Sequence, residues 1–255
     1  MQSLTFQVLT LQGMCAGVNM LTVKSAATPE PQARPYHHGD LRNALVEAAV
    51  SLAEEGGPGS VTIRATARAA GVTPTAAYRH FANQSDLLHA AKHEAMEQLT
   101  ATILELLAAE SPAPDPAEAA VQRLTAAGRG YIHFALAQPG LFRTAFCRPE
   151  SSEDHIATDL SQILAEAPPY AFLTTALDDL LEAGWLAQEL RPDAETAAWS
   201  AVHGLSVLFV DGPYRYVPES ERERLINATL ATVVRGLAGG PASLAPLDGD
   251  RPGPG

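Results

Sequence analysis

The 255-residue chain has only two cysteines, Cys15 and Cys147. So few, so far apart, exclude a disulfide framework and do not suggest a metal site. Both read as small apolar residues of a reducing compartment. Charge is sparse at 18%, and basic charge sparser still: 17 Lys and Arg stand against 29 Asp and Glu, a net charge of −12. That balance excludes nonspecific nucleic-acid binding by the chain as a whole. Long hydrophobic runs are missing as well. Residues 1–23 carry no charge, yet Gln, Thr, Ser and Asn interrupt them. They are expected to form neither a signal peptide, which needs a basic start, nor a bilayer span. There is no Gly-x-Ser-x-Gly turn, no phosphate-cradling loop and no Cys/His pair at metal spacing, so an enzyme is a remote reading. His37 and His38 would point apart on a helix, and the pairs Glu54–Glu55 and Asp178–Asp179 read as solvated faces. No cofactor, no membrane contact and a cytoplasmic location are expected.

What is present is unevenly spread. Residues 1–93 hold 7 basic and 6 acidic side chains, whereas residues 94–255 hold 10 and 23. Between Gly56 and Ser85 stand Arg64, Arg68 and Arg79 with no acid at all. This asymmetry predicts two parts with different partners. Residues 1–34, rich in Pro and Ala toward their end, and residues 239–255, rich in Gly and Pro, are expected to be disordered tails. A start at Met14 or Met20 is an alternative for the first.

Between the tails the periodicity is helical, with no alternating strand pattern and no repeat. Leu41, Leu45, Ala48, Ala49 and Leu52 form a stripe that "GGPG" stops. Thr62 then caps a helix of about two turns, closed by Gly71. Thr73 caps a third, expected to run to about His80, with Pro74 at its first position, where a missing N–H costs nothing. Asn83 and Asp86 form an imperfect capping box before a long helix reaching about Ala109. Two short helices joined by a tight Gly-Val-Thr turn have helix-turn-helix spacing. Its expected core is Leu45, Ala49, Leu52, Ala67, Ala70, Val72, Ala77 and Phe81. Further helices, "DHIATDLSQILAEA" among them, follow after "SPAPDPAE", so the expected fold is all-α: a helix-turn-helix domain over residues 35–88 and a larger helical domain over 89–238.

The stretch "GVTPTAAYRHFANQSDLL" suits the major groove of DNA. Thr75 and Ala76 are small enough for their helix to approach base edges, and a methyl from either can meet a thymine. Tyr78, Arg79 and His80 follow as donors, Arg64 can reach backbone or base, and free N–H groups at the helix start favour a phosphate. A solvated helix face, a plain cap at Thr73 and a core Phe81 are the bland alternatives.

"TIRATARAAGVTPTAAYRHFANQSDLL", with "YHHGDLRNALVEAA" before it, resembles the DNA-binding domain of TetR-type bacterial regulators over about Tyr36–Leu88. "WSAVHGLSVLF" resembles the Trp…His-Gly signature of one C-terminal class in that family. The resemblance implies base or near-base contacts for Thr75, Ala76 and Arg64. It implies phosphate contacts for Thr62, Thr73, Tyr78, His80 and Gln84. Two positions depart from the family pattern. Thr66 replaces a core Ile or Leu, and its hydroxyl is expected to bond back to the Thr62 carbonyl. Gln84 replaces a common Lys, which predicts a shallower salt dependence.

The resemblance also implies a ligand-sensing, dimerising second domain. The residues allow it: aromatics stand at Tyr131, Phe134, Phe142, Phe146, Tyr170, Phe172, Trp185, Trp199 and Phe209. Of these Tyr131, Phe134, Phe142, Phe146 and Trp199 are candidates to line a pocket for a small apolar ligand. His133 and His203 are the candidate polar groups, and Trp199 and His203 share a helix face. For each, a place in the core is the bland alternative. The family's dimer elements fall on the last two helices, Asp193–Val210 and Ser220–Leu237. There Leu225, Thr229, Leu230, Val233, Val234 and Leu237 form a stripe suited to a partner helix, and Gly204 allows close approach. The expected partners are a double-stranded DNA operator, a small-molecule effector and a second copy of the chain. The function read from this is a homodimeric repressor released from a near-palindromic operator by a small apolar ligand. A helical ligand-binding or scaffold protein that does not bind DNA is the rival.

Overall fold

A computed structural model describes residues 38–147 and 168–238. Cys15, His37, both expected tails and the helix expected over "DHIATDLSQILAEA" lie outside the described residues. Within them the regular elements are helical: α1 His38–Gly56, α2 Ile63–Ala69, α3 Pro74–Tyr78, α4 Gln84–Ala109, α5 Pro116–Ala137, α6 Pro139–Phe146, α7 Pro168–Glu182, α8 Ala194–Val210 and α9 Glu219–Leu237. Short 3-10 turns at Pro58–Ser60 and Gln188–Leu190 complete them.

Side-chain caps set the helix starts. The oxygens of Thr62, Thr73, Asn83 and Asp115 accept from the N–H three residues on, at 3.1, 3.2, 2.8 and 2.9 Å, so each satisfies one orphan donor of α2, α3, α4 and α5. Gly71 closes α2 with φ 70°. The Gly71 N–H donates to the Arg68 carbonyl and the Val72 N–H to the Ala67 carbonyl, a Schellman closure that needs the left-handed residue in its middle. The turn between α2 and α3 is thereby fixed by backbone alone. α3 is five residues long and ends at Tyr78, two short of the expected His80.

One apolar cluster runs from Leu45, Ala49 and Ala53 of α1 through Ala67, Ala77 and Phe81, along α4 by Leu87, Ala91 and Leu99, to Phe134, Phe142, Leu205 and Leu230. A second cluster gathers Ala120, Leu124, Leu177, Leu180 and Leu237 around the start of α5. The helix-turn-helix is therefore not separately cored. It shares its interior with the bundle through α1, α4 and α6. At the α1–α6 seam a Cβ on Gly140 would collide with the Ala53 and Glu54 carbonyl oxygens, so only glycine lets the start of α6 seat on the end of α1.

Leu52, Ala70 and Val72 are half-buried, while the rest of the expected helix-turn-helix core is buried. Thr66 departs from expectation. It is fully buried, but its Oγ1 has no hydrogen-bond partner among the described residues. The Thr62 carbonyl instead receives the Thr66 backbone N–H at 2.9 Å. A buried hydroxyl without a partner loses its hydration and gains nothing back. Thr66→Val keeps the shape and removes that cost, so it should raise unfolding stability by about 1 kcal/mol in urea titration. An unchanged or lower midpoint would show that the hydroxyl is satisfied.

Candidate functional site

The first site is the outer face of α2 and α3. Arg64, Thr73, Thr75, Tyr78, Arg79 and Gln84 are exposed, Tyr78 at 53% despite its ring. Thr62, Ala76 and His80 are half-buried, and Ala76 packs partly against the core. The capping hydroxyls of Thr62 and Thr73 accept from backbone N–H groups, which leaves their protons to donate outward. Ala77 and Phe81 turn inward and hold α3 on the bundle. Arg42 of α1 lies 5.2 Å from the Phe81 ring centroid, adding a cation beside the end of α3. No acidic residue occurs between Gly56 and Ser85. The face thus offers small residues on a short helix, donors on its flank and a positive field, the combination a groove-reading helix requires.

The second site is an apolar cavity of about 710 Å³, counted out to its open mouth. Six helices wall it: α4 by Met96 and Ile103, α5 by Leu124, Thr125, Gly128 and Tyr131, α6 by Phe146, α7 by Tyr170 and Leu173, α8 by Ala198, Trp199 and Val202, and α9 by Leu230, Val233 and Val234. Gly128 lets α9 close over α5, since a Cβ there would stand 2.6 Å from Leu230 Cδ2. Its concave, almost wholly apolar wall is of the kind that small organic ligands occupy.

A half-buried polar relay lies behind the rings. Trp199 Nε1 donates to the Tyr131 hydroxyl at 3.1 Å, and that hydroxyl lies 2.7 Å from His203 Nδ1. Burial drives the Tyr131 phenol far above its usual range, against the opposing pull of Trp199. Burial also lowers His203. A neutral imidazole that accepts at Nδ1 from a neutral phenol satisfies both groups.

Three pocket candidates thus belong to the cavity wall: Tyr131, Phe146 and Trp199. Four need correction. Phe134 and Phe142 are buried in the core, and Phe142 backs the site through Tyr131 and Phe146, with ring centroids 5.9 and 5.2 Å apart. His203 stands behind Tyr131 as its hydrogen-bond partner rather than on the wall. His133 turns to the other face of α5, where its Nε2 lies 3.1 Å from Glu223 Oε1. The stripe on α9 has partners within the protomer. Leu230, Val233 and Val234 line the cavity, Leu237 is buried in the second cluster and Leu225 packs on the first. That face is occupied within the protomer, because α9 must cover α5. Thr229 is half-buried, whereas Gly204 is exposed with open space beside it. Tyr170, Gly128 and the α4 residues were not singled out as wall from the sequence. A glycine inside the amphipathic α5 was the available signal.

Among the described residues no helix is long and apolar enough to cross a membrane. Nor does any group of three or more His, Cys, Asp or Glu side chains there stand placed to hold a metal ion.

Comparison with known proteins bears directly on both sites. Residues 45–91 match the model for bacterial regulatory proteins of the tetR family, and residues 124–233 match that of a tetracyclin repressor-like C-terminal domain. No curated protein matches the chain. A protein of unknown function from Rhodococcus sp. RHA1 is 27% identical at a TM-score of 0.62, over 81% of this chain and 100% of its own. A putative tetR family transcription regulator from Shewanella sp. PV-4 shares the fold at 20% identity and TM-score 0.54, over 78% and 98% of the two chains. The regulator FadR from Bacillus subtilis, solved with stearoyl-CoA, shares it at 19% identity and TM-score 0.56, over 76% and 98%. With the helix-turn-helix in the first matched segment and most of the cavity in the second, the chain belongs to the TetR family of bacterial transcription regulators.

Proposed function

We propose that the chain is a homodimeric, cytoplasmic repressor released from a near-palindromic operator when a small, largely apolar ligand enters the cavity. One observation carries this reading: α4 is at once a cavity wall and the helix that follows α3. Met96 and Ile103 line the cavity, while the Asn83 cap that starts α4 lies five residues after Tyr78, the end of α3. Displacing α4 from within must move the base of the groove-reading helix. The ligand needs only a different fit to the two positions of α4 to shift the balance.

A two-fold dimer is supported by what α8 and α9 leave uncovered. Gly204, Val207 and Leu208 on α8 and Ala228 and Ala231 on α9 are exposed, a small and apolar surface of the kind that a second copy covers. In such a dimer the two α3 helices would meet successive major grooves about 34–36 Å apart. The acidity of the second half would keep it off DNA. No catalytic step enters this reading.

Operator fragments selected from genomic DNA supply the test. Tyr78→Ala with His80→Ala should weaken binding about tenfold or more to every sequence in mobility-shift titration. Thr75→Val should leave overall affinity near wild type but alter preference at one or two base positions. Retention of full affinity by the Tyr78/His80 double variant would remove α3 from the groove.

Filling the cavity separates sensing from DNA binding. Leu173→Trp should keep operator affinity within about threefold while weakening ligand binding about tenfold or more by calorimetry. Undiminished ligand binding by that variant would place the ligand elsewhere.

A further inference from the structure

The cavity wall has a chemical bias beyond being apolar. Four aromatic rings face it: Tyr131, Phe146, Tyr170 and Trp199. They form a chain, with centroid separations of 5.8 Å for Tyr131–Phe146, 6.1 Å for Phe146–Trp199 and 6.5 Å for Tyr170–Trp199. None of the described lining residues is Lys, Arg or His. The Tyr131 hydroxyl, a natural donor to an anion, is already engaged with Trp199 and His203. No side chain of the described wall is itself cationic; the half-buried Lys92, one turn before Met96 on α4, acts on Cys147 next to Phe146.

The charge beside Tyr170 is acidic. Glu195, one turn before Trp199 on α8, is almost fully buried. Arg191 lies 2.8 Å from Glu195 and 2.7 Å from Asp178, so one guanidinium is shared by two carboxylates. Asp193 adds a third acid. Glu195 stands about one turn before the wall residues Ala198 and Trp199, so the acidic group flanks the cavity on the α8 side; Tyr170 is raised first by burial and then by Glu195, with Arg191 opposing. Aromatic faces attract a cation through their quadrupole, and excess negative charge at one end strengthens that attraction while repelling an anion.

We propose that the cavity selects a lipophilic monocation, its ammonium held against Tyr170 and Trp199 at the Glu195 end and its apolar part along α5 and α9. This rests on the reading of the cavity as the effector site. It points away from an acyl-CoA or free fatty acid, although the similar fold of FadR was solved with stearoyl-CoA.

Three probes of equal chain length, used below their micellar concentrations, separate the terms: dodecyltrimethylammonium, dodecanol and dodecanoate. Calorimetry on the full chain should give one site per protomer, with the cation about tenfold tighter than either other probe. Tyr170→Leu should weaken the cation about three- to tenfold and leave dodecanol within about twofold. Asp193→Asn, whose new side chain also tolerates the φ of 60° found there, should weaken the cation about twofold and flatten its salt dependence. Dodecanoate or dodecanol binding as tightly as the cation would overturn the charge selection and leave the cavity reading standing. Cation affinity untouched by Tyr170→Leu would overturn the placement of the ammonium. Failure of all three probes to bind would overturn the cavity reading itself, and this inference with it.

Discussion

The structure turns on how closely other helices approach α5. Gly130 lets α4 in: a Cβ there would stand 3.0 Å from the Ile103 Cα. Gly128, on a different face, lets in Leu230 of α9. Between and beyond them Ala126, Tyr131, Ile132 and Phe134 are buried. α5 is thus the axis on which α4, α6, α7, α8 and α9 are assembled. Missing side chains on that axis draw two neighbours close and leave space beside Tyr131. Filling the space with a larger residue would remove the cavity. Removing the close approach would uncouple α4 from it.

The second constraint is that the DNA-reading head has no interior of its own. Its core residues belong to the cluster that continues into the bundle. Two routes therefore join cavity and head. One is α4, capped by Asn83 just after α3. The other is α6, whose Phe146 lines the cavity while Gly140, six residues earlier, rests on the end of α1. Arg143 fixes α6 to the end of α8 through Asp211, with Nε–Oδ1 at 2.9 Å and Nη2–Oδ1 at 2.6 Å. A ligand touching both Phe146 and Met96 acts on two levers of one rigid head.

The head was legible in the sequence because its determinants are local. Thr62, Gly71, Thr73, Pro74 and Asn83 act within four residues, through caps and a left-handed turn, and all take the expected places. Helix existence in the second half was legible for the same reason. Partnership was not. Periodicity says that Leu230, Val233 and Val234 share a face, not whether that face meets α5 or another protomer. In the protomer these residues line the cavity that α5 also walls. His133 has apolar neighbours in sequence, yet its helix face looks at Glu223 across α9, a relation ninety residues apart. Thr66 was expected to bond its own helix, but packing holds its hydroxyl without a partner. Trp199 and His203 did share a face, and what they share is the Tyr131 hydroxyl, which no local pattern announces.

In the proposed dimer, filling the cavity should move the two α3 helices relative to each other. Electron–electron double resonance measures this directly, with a nitroxide on Ala82→Cys between α3 and α4, in a background of Cys15→Ser and Cys147→Ala. One of the three dodecyl probes shown to bind in one-to-one ratio would serve as ligand. A single inter-protomer distance should shift by several ångström on saturation and return on adding operator. An unchanged distance at saturation would contradict it, as would the absence of any inter-protomer distance.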